Sequence, residues 1–155
     1  MSMKIALQGI VATLFLLIFT FCAWYEGSEI LDNPWEWEYS TPFSERVEDS
    51  KDISNLDYFV YAAKFRPMFP SLMMVTLLYL VTLTGFRICK GSQKKLAFFL
   101  SGLGVLALPL SGLVWNSPTV GGNLFQSICL IIGVVFILLG ALYYFKIPLK
   151  FKRAV

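Results

Sequence analysis

The chain has 155 residues, of which 57% are hydrophobic and 15% are charged, with a formal net charge of +3 and a mean hydropathy of +0.67. In soluble domains about a quarter of all residues are charged, so this composition excludes an ordinary soluble domain. It also excludes a disordered chain, because aromatic residues make up 16% of the chain and so much apolar surface cannot be left in water. The composition therefore predicts an integral membrane protein.

Four apolar stretches of 19 to 22 residues follow one another, each long enough for a helix to cross about 30 Å of hydrocarbon. They predict an all-α membrane protein, a single domain in which four transmembrane helices form a bundle. The expected transmembrane helices are residues 5–25, 68–86, 96–115 and 124–145. A long loop at 26–67 and two short loops at 87–95 and 116–123 join them, and a tail follows at 146–155.

Charge predicts the orientation of these helices. All ten acidic residues lie in the long loop, with only four basic ones, Arg46, Lys51, Lys64 and Arg66. The other nine basic residues lie in the N-terminal tail, in 87–95 and in the C-terminal tail. The positive-inside rule then places both termini in the cytoplasm and the long loop outside, in a multi-pass protein of the cell membrane.

The long loop is predicted to form a small cap outside the membrane, beginning with a short β element at 35–39. There aromatic and acidic residues alternate, so a strand would present three rings on one face and two carboxylates on the other. These residues are candidates for binding a partner: Trp35, Glu36, Trp37, Glu38 and Tyr39. The alternative is that the rings rest on the membrane interface.

The second half of the loop, residues 44–65, is predicted to be an interfacial helix. Four carboxylates fall on one face of its first turns, at Glu45, Glu48, Asp49 and Asp52. Oxygen ligands of this kind suit a hard divalent cation, although the pattern lacks the spacing of a calcium loop. A solvated acidic face is the alternative interpretation, and we expect no bound metal.

The expected transmembrane helices contain no ionisable Asp, Glu, Lys or Arg, which argues against a transporter with a buried carboxylate. Small residues on the third and fourth helices predict close helix packing, at Gly104, Cys129, Gly133 and Gly140. Homo-oligomerisation through the same faces is the alternative.

Catalytic chemistry has little support in the sequence. Histidine is absent, which excludes every site that needs an imidazole, and no nucleophile, phosphate-loop or paired-cysteine motif is found. No cysteine lies between residues 26 and 67, so no external disulfide is predicted. We expect no cofactor, no enzymatic activity and no nucleic-acid partner.

Two segments carry a resemblance. Trp24-Tyr25-Glu26-Gly27-Ser28 and Trp35-Glu36-Trp37-Glu38-Tyr39-Ser40 resemble parts of small, uncharacterised membrane proteins of Bacillus-type Gram-positive bacteria, a family that implies no known activity. In layout the chain is also similar to claudins and other tetraspan proteins. Claudins carry two loop cysteines that form a disulfide, and here both are missing, so the similarity is one of topology only.

The sequence thus predicts a non-enzymatic interaction, assembly or regulatory protein that acts through its acidic, aromatic outer loop. Besides the lipid bilayer, its partner would be another membrane protein or a second copy of the chain. A small channel or transporter is the first alternative. An interfacial lipid-processing enzyme that uses loop carboxylates is the second.

Overall fold

The computed structural model describes residues 3–44, 47–115 and 117–145, and all regular elements in these ranges are helical. The α-helices are α1 (Met3–Gly27), α2 (Trp37–Ser40), α3 (Asn55–Phe65), α4 (Met68–Ile88), α5 (Gln93–Leu113) and α6 (Val120–Tyr144). Three short 3-10 helices cover Ser28–Asp32, Pro34–Glu36 and Ser50–Asp52.

Four of the helices, α1, α4, α5 and α6, are long and apolar enough to cross a membrane. The prediction of four helices of transmembrane length is therefore confirmed, and it supports a membrane protein. Local polar groups mark the helix starts: the Ser92 hydroxyl accepts from Lys95 N at the start of α5, and the Thr119 hydroxyl accepts from Gly122 N at the start of α6. Gly91 precedes α5 with φ +92°, a conformation that glycine adopts without strain.

The chain divides into two compact units. The first comprises Met1–Leu80 and Asn116–Phe125, so it contains α1, all of the short helices, α3 and the beginnings of α4 and α6. The second comprises Val81–Trp115 and Gln126–Val155, with α5 and the remaining parts of α4 and α6.

In the second unit, α5 and α6 approach each other through glycines. A Cβ at Gly104 would lie 2.7 Å from the Gly133 carbonyl oxygen, and a Cβ at Gly140 would overlap the Ser101 hydroxyl. Cys129 lies one turn before Gly133 and is half-buried. Any side chain at these glycines would separate the two backbones.

The predicted β element at 35–39 is wrong. Pro34 opens a 3-10 turn that continues directly into α2, so Trp35 and Tyr39 project from the opposite side to Trp37. Of the three aromatic rings in this segment, only that of Trp37 turns towards the interior, so the alternating residues do not share one face. There its indole N–H donates to the Ile30 carbonyl at 2.8 Å.

The predicted helix at 44–65 is correct only in its second half, because α3 begins at Asn55. Ser54 is its N-cap, with a hydroxyl that accepts from Leu56 N. Before it, Asp49 and Asp52 form a reciprocal capping box around the 3-10 turn Ser50–Asp52. Local side-chain hydrogen bonds thus replace the first turns of the expected helix.

Candidate functional site: the cap between α1 and α4

The residues described between α1 and α4, 28–44 and 47–67, fold into a small body that we call the cap. Its hydrophobic core consists of Ile30, Ile53, Tyr58 and Tyr61. Trp24, in the last turns of α1, packs against this core with its ring centroid 6.0 Å from that of Tyr58. The cap is therefore a folded element that continues from the end of α1.

Helix α3 is the element that holds the cap in place. A Cβ at Gly27, the last residue of α1, would overlap the backbone carbonyl of Tyr58, and a Cβ at Gly121 of α6 would overlap that of Ala63. Two glycines thus allow two helices to lie directly on the α3 backbone. The position of α3 depends on their having no side chain.

A buried carboxylate joins α3 to the preceding chain. Asp57 is 0% exposed, and its two oxygens accept from Phe43 N at 2.9 Å and from the Ser44 hydroxyl at 2.6 Å. The Ser44 oxygen accepts in turn from Ser54 N at 2.9 Å. Because Asp57 lies in the first turn of α3, its charge also faces the positive end of the helix dipole.

A second polar cluster surrounds Tyr61. Its hydroxyl accepts from the side-chain amide of Asn33 at 3.0 Å, and that amide also donates to the Glu29 carbonyl at 2.9 Å. Burial, followed by the negative charges of Glu29 and Glu36, raises the pKa of Tyr61, and Arg66 acts in the opposite direction. The folded cap therefore favours the neutral phenol over the phenolate.

The residues predicted to bind a partner divide into two groups. Trp35 and Tyr39 are 86% and 67% exposed, and Glu38 is exposed beside them. Trp37 packs on the core of the cap, and Glu36 is half-buried. The structure therefore brings two of the three predicted rings to one surface, and the backbone carbonyl of Tyr39 accepts from the Lys64 ammonium of α3.

The predicted carboxylate face is not formed as a helix face. The Asp52 carboxylate accepts from the backbone N–H groups of Glu48 and Asp49, at 3.1 and 3.0 Å. Glu45 lies outside the described residues. Among the residues that are described, no cluster of three or more His, Cys, Asp or Glu side chains could hold a metal ion. Asp49 and Asp52 have a structural explanation as turn caps.

Asp57 is a buried residue that the sequence alone does not identify. Helical spacing groups four earlier carboxylates on one face of a long helix and assigns Asp57 no role. The available signal was the Ser54-x-x-Asp57 spacing ahead of an apolar stretch, which resembles an N-terminal capping pattern.

Taken together, these features define a membrane protein whose first two transmembrane-length helices are joined by a folded, acidic and aromatic cap. The chain belongs to the family described as Domain of unknown function (DUF4306), whose model matches residues 6–89. That range contains nearly all of α1, the whole cap and α4.

A relative agrees with this assignment. The chain is 35% identical over 75 residues to "Uncharacterized protein YjdJ" of Bacillus subtilis (strain 168), a match that covers 43% of this chain and 69% of that protein. The predicted resemblance to an uncharacterised family of Bacillus-type bacteria is thus confirmed, whereas the likeness to claudins stays a prediction from layout. No solved structure matches the chain.

Proposed function

We propose that this is a non-enzymatic interaction protein of the cell membrane, whose cap binds the extracytoplasmic surface of another protein. The proposal depends on one observation: Trp35 and Tyr39 are widely exposed on an element that is otherwise folded around its own core. Exposed rings on a preformed scaffold lose little entropy on binding, and Trp and Tyr are enriched among the residues that dominate interface energy.

The fixed backbone beneath these rings supports the same proposal. Trp37 is hydrogen-bonded to Ile30, and the Tyr39 carbonyl accepts from Lys64, so the segment that carries both exposed rings is held on each side. A segment that served only as a linker would need neither contact. Preorganisation of this kind favours recognition by reducing the ordering that binding requires.

Charge indicates the chemistry of the partner. The loop 26–67 holds all ten acidic residues of the chain and four basic ones, and Glu38 is exposed between the two rings. A basic protein surface would complement it. The distribution of Lys and Arg supports a cap outside the cell and cytoplasmic termini in the same proposal.

The test is site-specific crosslinking in living cells. A photoreactive residue in place of Glu38 should give a discrete crosslinked band with the partner. The double change Trp35→Ala and Tyr39→Ala should abolish that band. The matched control is Trp115→Ala, which removes a tryptophan that is 61% exposed and lies outside the cap.

Three results are informative. Loss of the band in the cap variant alone supports the proposal, and two differently tagged copies show whether the partner is a second copy of this chain. A band that survives the double change contradicts the role of the rings. Crosslinking to lipid alone contradicts a protein partner and favours rings that rest on the membrane interface.

A further inference from the structure

A groove in the first unit lies between α1 and the first half of α4, away from the cap. Its volume is about 580 Å³, within the range of roughly 300–1,000 Å³ that is usual for ligand sites. The residues that shape its two walls are Gln8, Val11, Phe15 and Phe19 from α1, with Val75 and Tyr79 from α4. Both helices are long and apolar enough to cross a membrane, so in a bilayer a groove between them would be open to lipid.

The groove is lined mainly by apolar side chains, and the few polar ones can be placed by their depth along the two helices. The rings of Phe19 and Phe69 lie 6.4 Å apart, which sets the level of α1 against α4. Ten residues before Phe19 the chain reaches Gly9 in α1, and ten residues after Phe69 it reaches Tyr79 in α4. Gln8, next to Gly9, is therefore at a similar depth to Tyr79. Gln8 and Tyr79 therefore line the end near the N-terminus, and the phenylalanines line the other end.

The polar groups at this end lack partners within the protein. Neither the Gln8 amide nor the Tyr79 hydroxyl forms a hydrogen bond with any residue that the structure describes. Thr76, which also lines the groove, donates to the Leu72 carbonyl at 2.7 Å. Unsatisfied polar groups beside hydrocarbon are costly, so an occupant with acceptor oxygens at this depth would be favoured.

A positive charge lies just beyond the polar end. Lys4 is four residues before Gln8, one helical turn away on the same face of α1, and it is exposed. A lysine at the end of a transmembrane helix extends its ammonium group to the headgroup level. The order along the groove is thus cation, then hydrogen-bonding groups, then apolar wall.

We propose that this groove binds one anionic phospholipid from the leaflet on the side of the N-terminus. The phosphate would pair with Lys4, the ester oxygens would accept from Gln8 and Tyr79, and an acyl chain would lie along Val11, Phe15 and Val75. A neutral lipid would pack against the apolar walls of the groove but would not neutralise the charge of Lys4. This site is independent of the cap and of the function proposed for it.

The experiment uses the full-length protein, reconstituted in vesicles of phosphatidylcholine with a minor share of phosphatidylglycerol. After mild detergent extraction, native mass spectrometry measures which lipids stay bound. Lys4→Gln should lower the ratio of phosphatidylglycerol to phosphatidylcholine by about fivefold, the effect of one basic residue at an anionic surface. Lys90→Gln, a change of an exposed lysine elsewhere, should leave the ratio unchanged.

A second pair of variants tests the groove itself. Val75→Phe should fill it and remove the bound lipid, whereas Leu77→Phe, on another face of α4, should not. The proposal is overturned if Lys4→Gln keeps the wild-type ratio, or if Val75→Phe retains as much lipid as Leu77→Phe. It is also overturned if native mass spectrometry shows a dimer of the wild-type protein that Val75→Phe abolishes, because the groove would then hold a second copy of the chain.

Discussion

Trp37 and Ile30 are joined by a hydrogen bond of 2.8 Å, in which the indole N–H donates to a backbone carbonyl of the cap core. Trp35, two residues earlier, is 86% exposed. We expect Trp37→Phe to lower the free energy of unfolding by about 1 kcal/mol, because the indole hydrogen bond is lost and the Ile30 carbonyl keeps only the Asn33 N–H as a donor. Trp35→Phe should change it by less than about 0.5 kcal/mol. Thermal unfolding in detergent measures both, and equal effects would contradict the different environments of the two rings.

Gly27→Ala should displace α3 from α1. The added Cβ would overlap the Tyr58 carbonyl, which belongs to backbone and cannot move alone, so a loss of about 1–3 kcal/mol in stability is expected. Gly112→Ala in α5 is the control, because a Cβ there meets nothing within 4 Å and alanine favours helix. Faster tryptic cleavage at Lys51 in Gly27→Ala alone would support the contact, and unchanged cleavage would contradict it.

Asp57→Asn should weaken the connection between α3 and residues 43–44. An amide can accept with only one oxygen, so either Phe43 N or the Ser44 hydroxyl loses its acceptor inside the protein, at a cost of about 1–3 kcal/mol. Asp32→Asn, at an exposed position, serves as the control. Hydrogen exchange at Phe43 N reports on the lost bond, and equal protection in wild type and Asp57→Asn would rule out this role.

Alkaline pH should loosen the cap through Tyr61. Its pKa is raised in the folded state, so the neutral phenol contributes stability that is fully present below its ordinary pKa of about 10 and is lost as pH rises through the higher folded value. Tyr61→Phe should reduce the loss of stability above about pH 10. Tyr39→Phe, which changes an exposed ring, should keep the wild-type pH dependence.

The proposed orientation is testable by cysteine labelling in intact cells. In a background with Cys22, Cys89 and Cys129 replaced by alanine, a membrane-impermeant maleimide should label Glu38→Cys. Lys90→Cys should react only after permeabilisation. The reverse pattern would place the cap in the cytoplasm and would remove the basis of the proposed extracytoplasmic partner.

The long helices could be predicted from the sequence because hydrophobic length is a local property. Each apolar stretch is long enough to span hydrocarbon, and the ends of the helices observed differ from the predicted ends by about four residues at most. The cap could not be predicted equally well. Whether Trp35 to Tyr39 forms a strand or a helix depends on Pro34 and on the Ile30 carbonyl that Trp37 reaches, and alternation alone does not contain that contact.

The groove required the structure for a similar reason. Gln8 and Tyr79 are isolated polar side chains in apolar stretches, which was a signal in itself. Their common depth depends on how α1 and α4 are aligned, and the contact of Phe19 with Phe69 sets that alignment. Alignment of neighbouring helices depends on side-chain packing between distant parts of the chain, which periodicity does not encode.

Glu29 and Arg66 lie two residues after the end of α1 and two residues before the start of α4, and their side chains form a bidentate ion pair at 3.1 to 3.3 Å. The chain therefore leaves one membrane-length helix and returns to the next at nearly the same point. A protease that cut once at Ser50–Asp52 would produce two fragments already held together by this pair, by Asp57 and by the cap core. Nicked protein would migrate as one species until denaturant separated it.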